Sequence, residues 1–569
     1  MKKPATGFRL IFGYLGLFLS FESALALFPL IMLAFYPQEW QCLFDFIIPA
    51  LAGVLIGVGL YHSLLLKREK GRLGQREDAL LLVFLWVSAI ILGALPFFLS
   101  QFPILNFGNE NVSLGMSFSE SIFEATSGYT TTGLTLFPSW AYLDGSLSAA
   151  GGMDSCSTYA FSHVFLFHRA FMQFIGGIGL VLLVTSIVST KNNFKLYFAE
   201  GHNDQIVPNL AKSAKLIFAV YLGWVLFGFL ALWLMGMPPF EAICHSMCCL
   251  ATGGFSTRSE SIYWFSKSMP LGEVSNLAYS LNNAIGIEIV SCILMIAGAT
   301  NFLLHTFFIR GRWKDFFGDI EIKTLGFFLL FGIALSTVSC AFLYNDGMGN
   351  TGLDFLTSLR YGTYFSVTTL TTSGFANFPS VLYMGPVCIF VGWIFMTIGG
   401  SVGSTAGGLK LYRTAILGRE FSWSLKYKDR SSRTINPHTI KRFGEIKEVD
   451  QQTVDESRNY LVLILLFFAT GAICLMFVPT LPGLTQIEWF QRAFWEFMNA
   501  FSSEGLSHMN YVAYKAANPE AYVFMIWVLT LGMFFGRLEI LPIIYAWKRL
   551  FTDPLVNWRK NAKKAKAIN

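Results

Sequence analysis

The stretch Thr130-Thr131-Thr132-Gly133-Leu134 decides how the rest of this chain is interpreted, because the chain contains three further versions of it. Each version has a hydroxyl residue two positions before a glycine and a bulky apolar residue directly after that glycine. The four glycine triplets are Thr131-Thr132-Gly133, Thr252-Gly253-Gly254, Thr372-Ser373-Gly374 and Ser503-Glu504-Gly505. Their nearly constant spacing indicates an internal repeat.

The composition of the chain places these triplets in a membrane protein. Of the 569 residues, 54% are hydrophobic and 13% are charged, whereas a typical soluble domain is about 25% charged. Apolar runs long enough to cross a bilayer recur along the chain. The formal charge of +6 does not indicate nucleic-acid binding, because the basic residues lie in short segments between the apolar runs. The nine scattered cysteines predict neither a disulfide framework nor a metal site.

A short apolar segment precedes each glycine triplet, and longer apolar runs lie on both sides. The short segments have the length of a re-entrant helix rather than of a full span. They are 118–128, 239–250, 353–370 and 487–501. Four such returns predict a common central cavity, because non-helical backbone persists at membrane depth only where protein buries it or where it lines a water-filled path. The predicted division is two N-terminal transmembrane helices (1–70) followed by pore units at 71–190, 191–309, 310–458 and 459–569.

The distribution of basic residues predicts how the chain crosses the membrane. Most of the 41 Lys and Arg residues lie in the segments 2–9, 67–76, 191–215, 310–323, 410–458 and 548–566. The positive-inside rule places these segments and both termini in the cytoplasm. The four short helices then enter from outside and direct their negative C-terminal ends at the membrane centre, which attracts cations. Glycine in the returning stretch allows carbonyl oxygens to face the axis, where they can replace the water shell of an ion. We therefore predict an all-α integral membrane protein with four pseudo-repeated helix–pore-loop–helix units around a central cation pore.

The triplets are similar to the K⁺-filter pattern Thr-Val-Gly-Tyr-Gly, shortened after the aromatic position. Other motifs make the resemblance specific, namely Leu92-Gly93-Ala94-Leu95-Pro96-Phe97, Gly176-Gly177-Ile178-Gly179, Gly253-Gly254-Phe255-Ser256-Thr257, Gly403-Ser404-Thr405-Ala406-Gly407-Gly408-Leu409-Lys410 and Gly536-Arg537-Leu538-Glu539. Over nearly its whole length the chain resembles the Trk/Ktr/HKT family of K⁺ transporters, and within it the TrkH-type pore-forming subunit. The resemblance implies K⁺ uptake across a bacterial cytoplasmic membrane, with the four triplets as the selectivity filter.

Two residues of the triplets bear on ion preference. The resemblance implies glycine in all four triplets where K⁺ is preferred, and serine in place of the first glycine in Na⁺-preferring plant relatives. Gly133 therefore favours K⁺. Glu504 departs from the family, which usually has an apolar residue before the fourth glycine. We expect its carbonyl to face the ion and its side chain to pack behind the filter, where a carboxylate needs a partner or a proton.

Two features are candidate gates. Arg537 interrupts the apolar run 523–547, and such a residue usually faces a bundle interior because burial at the bilayer centre costs about 2.5–3.5 kcal/mol. It either pairs with Glu539 or another carboxylate, or it provides a fixed positive charge below the filter, as the resemblance implies. The second candidate lies in unit three and is rich in glycine and hydroxyl residues: Gly399, Gly400, Ser401, Gly403, Ser404, Thr405, Gly407 and Gly408. Its composition predicts either an unwound loop across the pore or close helix packing through small residues.

The resemblance also implies partners. These are a second copy of the chain, in a homodimer, and a cytoplasmic nucleotide-binding ring of RCK domains. The basic segments 410–447 and 559–566 are either docking surfaces for that ring or ordinary cytoplasmic anchors. The transported K⁺ is the one predicted ligand, and no organic cofactor is expected.

Two other functions remain open. An H⁺- or Na⁺-coupled symporter can use the same pore, and the intramembrane carboxylates Glu22 and Glu504 are compatible with this alternative. An intramembrane enzyme that modifies lipids needs a nucleophile–base or metal set. Neither His-Glu-x-x-His nor Gly-x-Ser-x-Gly occurs in the sequence, so we predict that the chain is not an enzyme.

Overall fold

A computed structural model describes residues 4–5, 7–66, 69–70, 75–102, 104–105, 113–138, 141–143, 162–179, 210–266, 281–346, 351–427 and 438–552. Within these segments, seven helices are long and apolar enough to cross a membrane. The helices Asn283–Ala299 and Phe302–Ile309 pass the same test as a pair, with a bend of 113° between them. The predicted class, an all-α integral membrane protein, is confirmed.

Two N-terminal helices precede the repeated part of the chain. Helix α1 (Phe8–Leu25) is followed by 3₁₀ helices at Phe28–Ala34 and Pro37–Cys42, which lead into α2 (Leu43–Tyr61). Small residues allow α1 and α2 to approach closely, since a Cβ on Gly16 would lie 2.5 Å from the carbonyl oxygen of Gly57. A short parallel pair of strands, β1 (Pro4–Ala5) and β2 (Glu69–Lys70), joins the two ends of this hairpin. Most of the predicted basic loop 67–76 lies outside the described residues.

Units one and two each contain a long helix, a short helix and a second long helix. The helices of unit one are α3 (Gln75–Leu99), α4 (Phe118–Tyr129) and α5 (Ser162–Ile178). Those of unit two are α6 (Leu210–Leu234), α7 (Pro239–Leu250), α8 (Tyr263–Ser266), α9 (Leu281–Ala299) and α10 (Phe302–Ile309), and the short helix α11 (Trp313–Phe316) follows. The second span of unit one was predicted to reach residue 190, and its part beyond Gly179 lies outside the described residues.

Units three and four have the same order of helices. Unit three consists of α12 (Ile320–Leu343), α13 (Phe355–Leu370), a 3₁₀ turn (Val381–Met384), α14 (Pro386–Ile398) and α15 (Leu411–Tyr427), and it ends in the antiparallel strands β3 (Thr439–Arg442) and β4 (Glu445–Glu448). Unit four consists of α16 (Gln451–Met476), α17 (Gln486–Ser502), α18 (Tyr511–Ala517), α19 (Pro519–Leu538) and α20 (Ile540–Trp547).

Three of the short helices, α4, α13 and α17, begin at side-chain caps, and α7 begins with Pro239 at its first position. Ser117 and Glu120 form a capping box at the start of α4, and Thr485 and Glu488 form one at the start of α17. The Asp354 side chain accepts a hydrogen bond from the backbone N–H of Thr357 at 3.1 Å and so caps α13. A helix of 12 residues, such as α4, rises only about 18 Å and cannot cross a hydrocarbon core of about 30 Å. The predicted re-entrant lengths agree with these helices.

The second span of unit two is not one continuous helix. Its helical path breaks at Thr300 and Asn301, between α9 and α10. Asn301 causes the new start, because its side chain accepts a hydrogen bond from the N–H of Leu303 at 2.9 Å and caps α10. Its amide nitrogen also donates to the carbonyl oxygen of Val402 in unit three at 2.6 Å, so the break is tied to another unit.

Two large apolar cores support the units. One joins the N-terminal helices to units one and two, and the other joins units three and four. The bulky residues that follow the glycine triplets are all buried and are divided between the cores: Leu134 and Leu506 lie in the second, Phe255 and Phe375 in the first. Leu134 of unit one and Phe375 of unit three thus each pack into the core of the other half, which fixes the triplets relative to both halves.

Candidate functional site

The four glycine triplets share one unusual backbone conformation. The hydroxyl residues Thr131, Thr252, Thr372 and Ser503 have φ of 54°, 49°, 51° and 60°. The glycines Gly133, Gly254, Gly374 and Gly505 have φ of 88°, 77°, 81° and 90°. A β-branched residue such as Thr rarely adopts positive φ, and the cost is of order 1–3 kcal/mol for each residue. The same outlier in all four units points to a functional constraint at this position.

Backbone hydrogen bonds fold each triplet back onto the end of its short helix. In unit one, the N–H of Thr131 donates to the carbonyl oxygen of Gly128 at 3.1 Å, and that of Thr132 donates to Ser127 at 2.9 Å. The equivalent bonds in the other units are Thr252 to Cys249, Gly253 to Cys248, Thr372 to Thr369, Ser373 to Thr368, Ser503 to Ala500 and Glu504 to Asn499. These bonds occupy the N–H groups of the first two residues of each triplet. The carbonyl oxygen of one middle residue, Gly253, accepts a hydrogen bond from the side-chain amide of Gln173.

The triplets meet in a closed ring. In each contact the glycine of one triplet lies so close to the middle carbonyl oxygen of the next that a Cβ on the glycine would collide with that oxygen. The contacts are Gly133 with Gly253, Gly254 with Ser373, Gly374 with Glu504, and Gly505 with Thr132. The last contact joins unit four to unit one. The structure therefore brings all four predicted triplets together in one ring, in which the middle carbonyl oxygen of each triplet lies against the glycine of a neighbouring triplet.

A non-helical loop, residues 399–408, lies against the hydroxyl residues of two triplets of this ring. Thr252 and Thr405 hydroxyls are 2.8 Å apart, and the N–H of Gly407 donates to the Thr372 hydroxyl at 2.9 Å. The loop is also bound to unit two, because the N–H of Ser401 donates to the carbonyl oxygen of Ala299 at 2.8 Å. Positive φ at Gly399, Gly403 and Gly408 explains why this stretch is not helical. The predicted unwound conformation is present, and every predicted residue of this loop lies in it.

Arg537 lies at the C-terminal end of α19 and contacts the same loop. Its Nη1 donates to the carbonyl oxygen of Thr405 at 2.7 Å, and its Nη2 donates to the carbonyl oxygen of Gly176 in unit one. Lys410 binds the next carbonyl oxygen of the loop, that of Ala406. Glu539, the carboxylate predicted as a partner of Arg537, forms an ion pair with Arg413 at 3.1 Å. Two cationic side chains thus bind consecutive carbonyl groups of the loop.

Three ion pairs between arginines and buried glutamates were not predicted from the sequence. Arg169, Arg258 and Arg360 bind Glu124, Glu241 and Glu288 with N–O distances of 2.8, 2.6 and 2.5 Å. Arg169 also donates to the carbonyl oxygen of Ser256, and it therefore links unit one to the returning segment of unit two. A signal for these pairs was available, because all three arginines lie outside the predicted cytoplasmic segments.

Two glutamates hold the segments that return from the ring. Glu124 accepts a hydrogen bond from the N–H of Leu136 at 2.8 Å, and Glu496 accepts one from the N–H of His508 at 3.1 Å. Both glutamates therefore hold the backbone of the returning segments by hydrogen bonds. Glu241 instead binds the side chains of Thr257 and Arg258.

The carboxyl group of Glu504 is fully buried beside the ring, and neither of its oxygens has a hydrogen-bond partner among the described residues. Its carbonyl oxygen lies against Gly374 of the neighbouring triplet. Within the described segments, no group of three or more His, Cys, Asp or Glu residues has a geometry that could hold a metal ion.

A family model described as TrkH, cation transport protein, matches residues 98–553. This range contains all four triplets, the loop and Arg537. The chain belongs to the TrkH family of cation transport proteins.

Individual relatives match this chain over most of its length and most of their own. The Trk system potassium uptake protein TrkH of Salmonella typhimurium is 28% identical over 508 residues, which cover 87% of this chain and 88% of that protein. The protein of the same name from Halomonas elongata is 26% identical over 566 residues, which cover 97% and 99%. The crystal structure of the potassium transporter TrkH from Vibrio parahaemolyticus has a TM-score of 0.70 at 22% identity and covers 95% of this chain and 98% of that one, so the two share a fold.

Proposed function

We propose that this chain takes up K⁺ through a pore whose selectivity filter is the ring of four glycine triplets. The observation that carries the proposal is the closed ring itself, in which the middle carbonyl oxygen of each triplet lies against the glycine of a neighbouring triplet. The names of the relatives, potassium uptake proteins, favour K⁺ as the ion. The proposed ligands are the backbone and hydroxyl oxygens of Thr131, Thr132, Gly133, Thr252, Gly253, Gly254, Thr372, Ser373, Gly374, Ser503, Glu504 and Gly505.

The proposed filter works by replacing water around the ion. A dehydrating cation loses its hydration shell, and a ring of carbonyl groups at fixed positions compensates for that loss. The four short helices end directly at the ring, so that their negative C-terminal ends lie near the ion. The hydroxyl residues keep the αL conformation although it costs free energy, which supports a functional role for this conformation.

Substitution of one filter glycine tests the proposal. Gly374→Ala places a methyl group against the carbonyl oxygen of Glu504 at a position of positive φ, so we expect at least a tenfold loss of K⁺ flux or of the preference for K⁺ over Na⁺. The measurement is Rb⁺ and Na⁺ flux into vesicles that contain the purified protein. Gly223→Ala on α6 is the control, because its Cβ meets no atom within 4 Å. Unchanged flux and preference in the folded Gly374→Ala variant would contradict the proposed filter.

The proposed gate consists of the loop 399–408 together with Arg537. The loop contacts Thr252 and Thr372 on the inner side of the ring, and Arg537 binds the Thr405 carbonyl group. A guanidinium group at this position raises the barrier to a cation that leaves the filter. Opening then requires that the loop and Arg537 move apart, which breaks the hydrogen bond to Thr405.

The remaining assignments follow from the same proposal. The chain lies in a bacterial cytoplasmic membrane with both termini in the cytoplasm, because the basic segments would then obey the positive-inside rule. It works as a homodimer with a nucleotide-binding partner of the RCK type, and the term Trk system in the names of its relatives supports a multicomponent assembly. The boundaries of the four pore units are those predicted from the sequence.

A coupled symporter is the second candidate function, and the buried carboxylate of Glu504 favours it because the described residues offer that group no hydrogen bond. One measurement distinguishes ion-coupled transport from simple permeation. A pH or Na⁺ gradient drives Rb⁺ accumulation against its own gradient in a symporter, whereas in a pore Rb⁺ only follows its electrochemical gradient.

A further inference from the structure

An apolar groove lies between units three and four, away from the proposed ion path. Helices α12, α14, α15, α16 and α17 form its walls, and its volume is about 850 Å³. This volume lies in the range of about 300–1,000 Å³ typical of sites for organic ligands. The lining is dominated by aliphatic and aromatic side chains, among them Phe328, Trp393, Phe468 and Phe494.

One end of the groove has a cationic rim. Lys323 on α12 and Arg419 on α15 both line it, and both belong to the basic segments predicted to face the cytoplasm. Neither side chain forms an ion pair or a hydrogen bond with the residues that the structure describes. The hydroxyl of Ser422 lines the same groove and provides a further donor. Two unpaired cations beside a hydroxyl group match the phosphate of a lipid headgroup.

The wall of the groove lies in the membrane-spanning part of the chain. The wall residues Phe327 on α12 and Leu465 on α16 belong to two of the candidate spans and are 64% and 50% exposed. A side chain of this kind is stable in contact with acyl chains and unfavourable in water. The groove thus combines an apolar interior at membrane depth with a basic end at the cytoplasmic boundary.

We propose that this groove binds an anionic phospholipid, with its acyl chains along the apolar wall and its phosphate at Lys323 and Arg419. The occupant would contact Thr397, Ile398 and Leu409, which directly flank the loop 399–408. It would also contact Met498, which lies on α17 just before the fourth glycine triplet. The lipid therefore lies where it supports the junction between the loop and helices α14 and α15.

The first test removes the cationic rim. Protein is purified in mild detergent from vesicles of phosphatidylethanolamine and phosphatidylglycerol, and the retained lipid is measured by native mass spectrometry. We expect the wild-type chain to retain phosphatidylglycerol, and the double variant Lys323→Gln, Arg419→Gln to bind it about tenfold more weakly. Arg458→Gln is the matched control, since Arg458 is an exposed cation on α16 that does not line the groove. Equal retention in all three proteins, or equal binding of phosphatidylethanolamine, would overturn the proposal.

The second test fills the groove without touching its charges. Gly418 on α15 lines the groove, and a Cβ on it meets no atom within 4 Å, so Gly418→Leu adds volume there without a clash. Gly326→Leu on α12 is the matched control, because Gly326 is equally free of contacts and does not line the groove. We expect lipid retention to fall in Gly418→Leu alone. If Gly418→Leu instead abolishes self-association and leaves lipid retention unchanged, the groove is an interface between copies of the chain and the lipid proposal is wrong.

Discussion

At the scale of single residues, hydrogen bonds to carbonyl groups determine the position of the Arg537 side chain. A guanidinium group at membrane depth needs acceptors, and Thr405 and Gly176 supply them from two different units. The glutamate two positions later, Glu539, binds Arg413. The positive charge of Arg537 therefore lies beside the loop on the proposed ion path.

The predicted effect of Arg537→Ala is a rise in K⁺ flux. Removal of the charge and of its bond to Thr405 lowers the barrier below the filter, and we expect at least a tenfold increase, which corresponds to about 1.4 kcal/mol. The measurement is Rb⁺ uptake by cells that lack other K⁺ uptake systems, normalised to the amount of protein in the membrane. Arg537→Lys keeps the charge and serves as the control, with flux near that of the wild type. Unchanged flux in Arg537→Ala at normal protein amounts would show that Arg537 is not a gate.

At the scale of elements, glycines set the distance between each second span and the short helix of its unit. In three units a glycine of the second span packs directly against the carbonyl oxygen of a residue at the end of the short helix. The pairs are Gly176 with Tyr129, Gly298 with Leu250 and Gly536 with Phe501. These oxygens occupy equivalent positions, four residues before the triplet glycine. The motif around Gly176 therefore allows the second span of unit one to pack closely against the short helix.

Substitution at Gly536 tests the role of this packing. In Gly536→Ala the new methyl group collides with the Phe501 carbonyl oxygen and pushes α19 away from α17, so we expect a loss of stability of about 1–3 kcal/mol. The measurement is the thermal midpoint of the purified protein. At Gly223, where a Cβ meets no atom within 4 Å, the same change removes a helix-destabilising glycine and the midpoint is expected to stay or rise slightly. A midpoint that shifts equally in both variants would argue against the packing role.

At the scale of the whole molecule, polar contacts between the first and last units close the ring. Glu120 of unit one accepts hydrogen bonds from Lys515 at 2.7 Å and from the Tyr522 hydroxyl at 2.9 Å, both in unit four. Trp527 adds a bond from its indole nitrogen to the Ser119 hydroxyl at 3.1 Å. Closure thus joins residues that are about four hundred positions apart in the chain.

The predicted effect of Tyr522→Phe is a weaker closure of the ring. The buried carboxylate of Glu120 loses one donor, and we expect a destabilisation of about 1–2 kcal/mol. The measurement is again the thermal midpoint, together with the K⁺ over Na⁺ preference, which depends on ring geometry. Tyr361→Phe on α13 is the control, since its hydroxyl makes no hydrogen bond to a carboxylate among the described residues. Equal midpoints for both variants would mean that the Tyr522 contact does not stabilise the closed ring.

Features that depend on a short window of residues could be predicted from the sequence alone. The apolar runs predicted the membrane class, the repeated triplets predicted four equivalent units, and the glycines of 399–408 predicted a non-helical loop. Each depends on run length or on the conformational range of single residues, so no distant contact is needed to recognise it.

Only the tertiary structure decided which individual groups from distant segments meet. The atoms through which neighbouring triplets touch, the pairing of Arg169 with Glu124 and the acceptors of Arg537 all join different segments of the chain. The bend at Asn301 belongs to the same class, because its side chain reaches Val402 in another unit. A buried charge or carbonyl group forms a hydrogen bond with the partner that the fold brings within about 3 Å. The local sequence does not identify that partner.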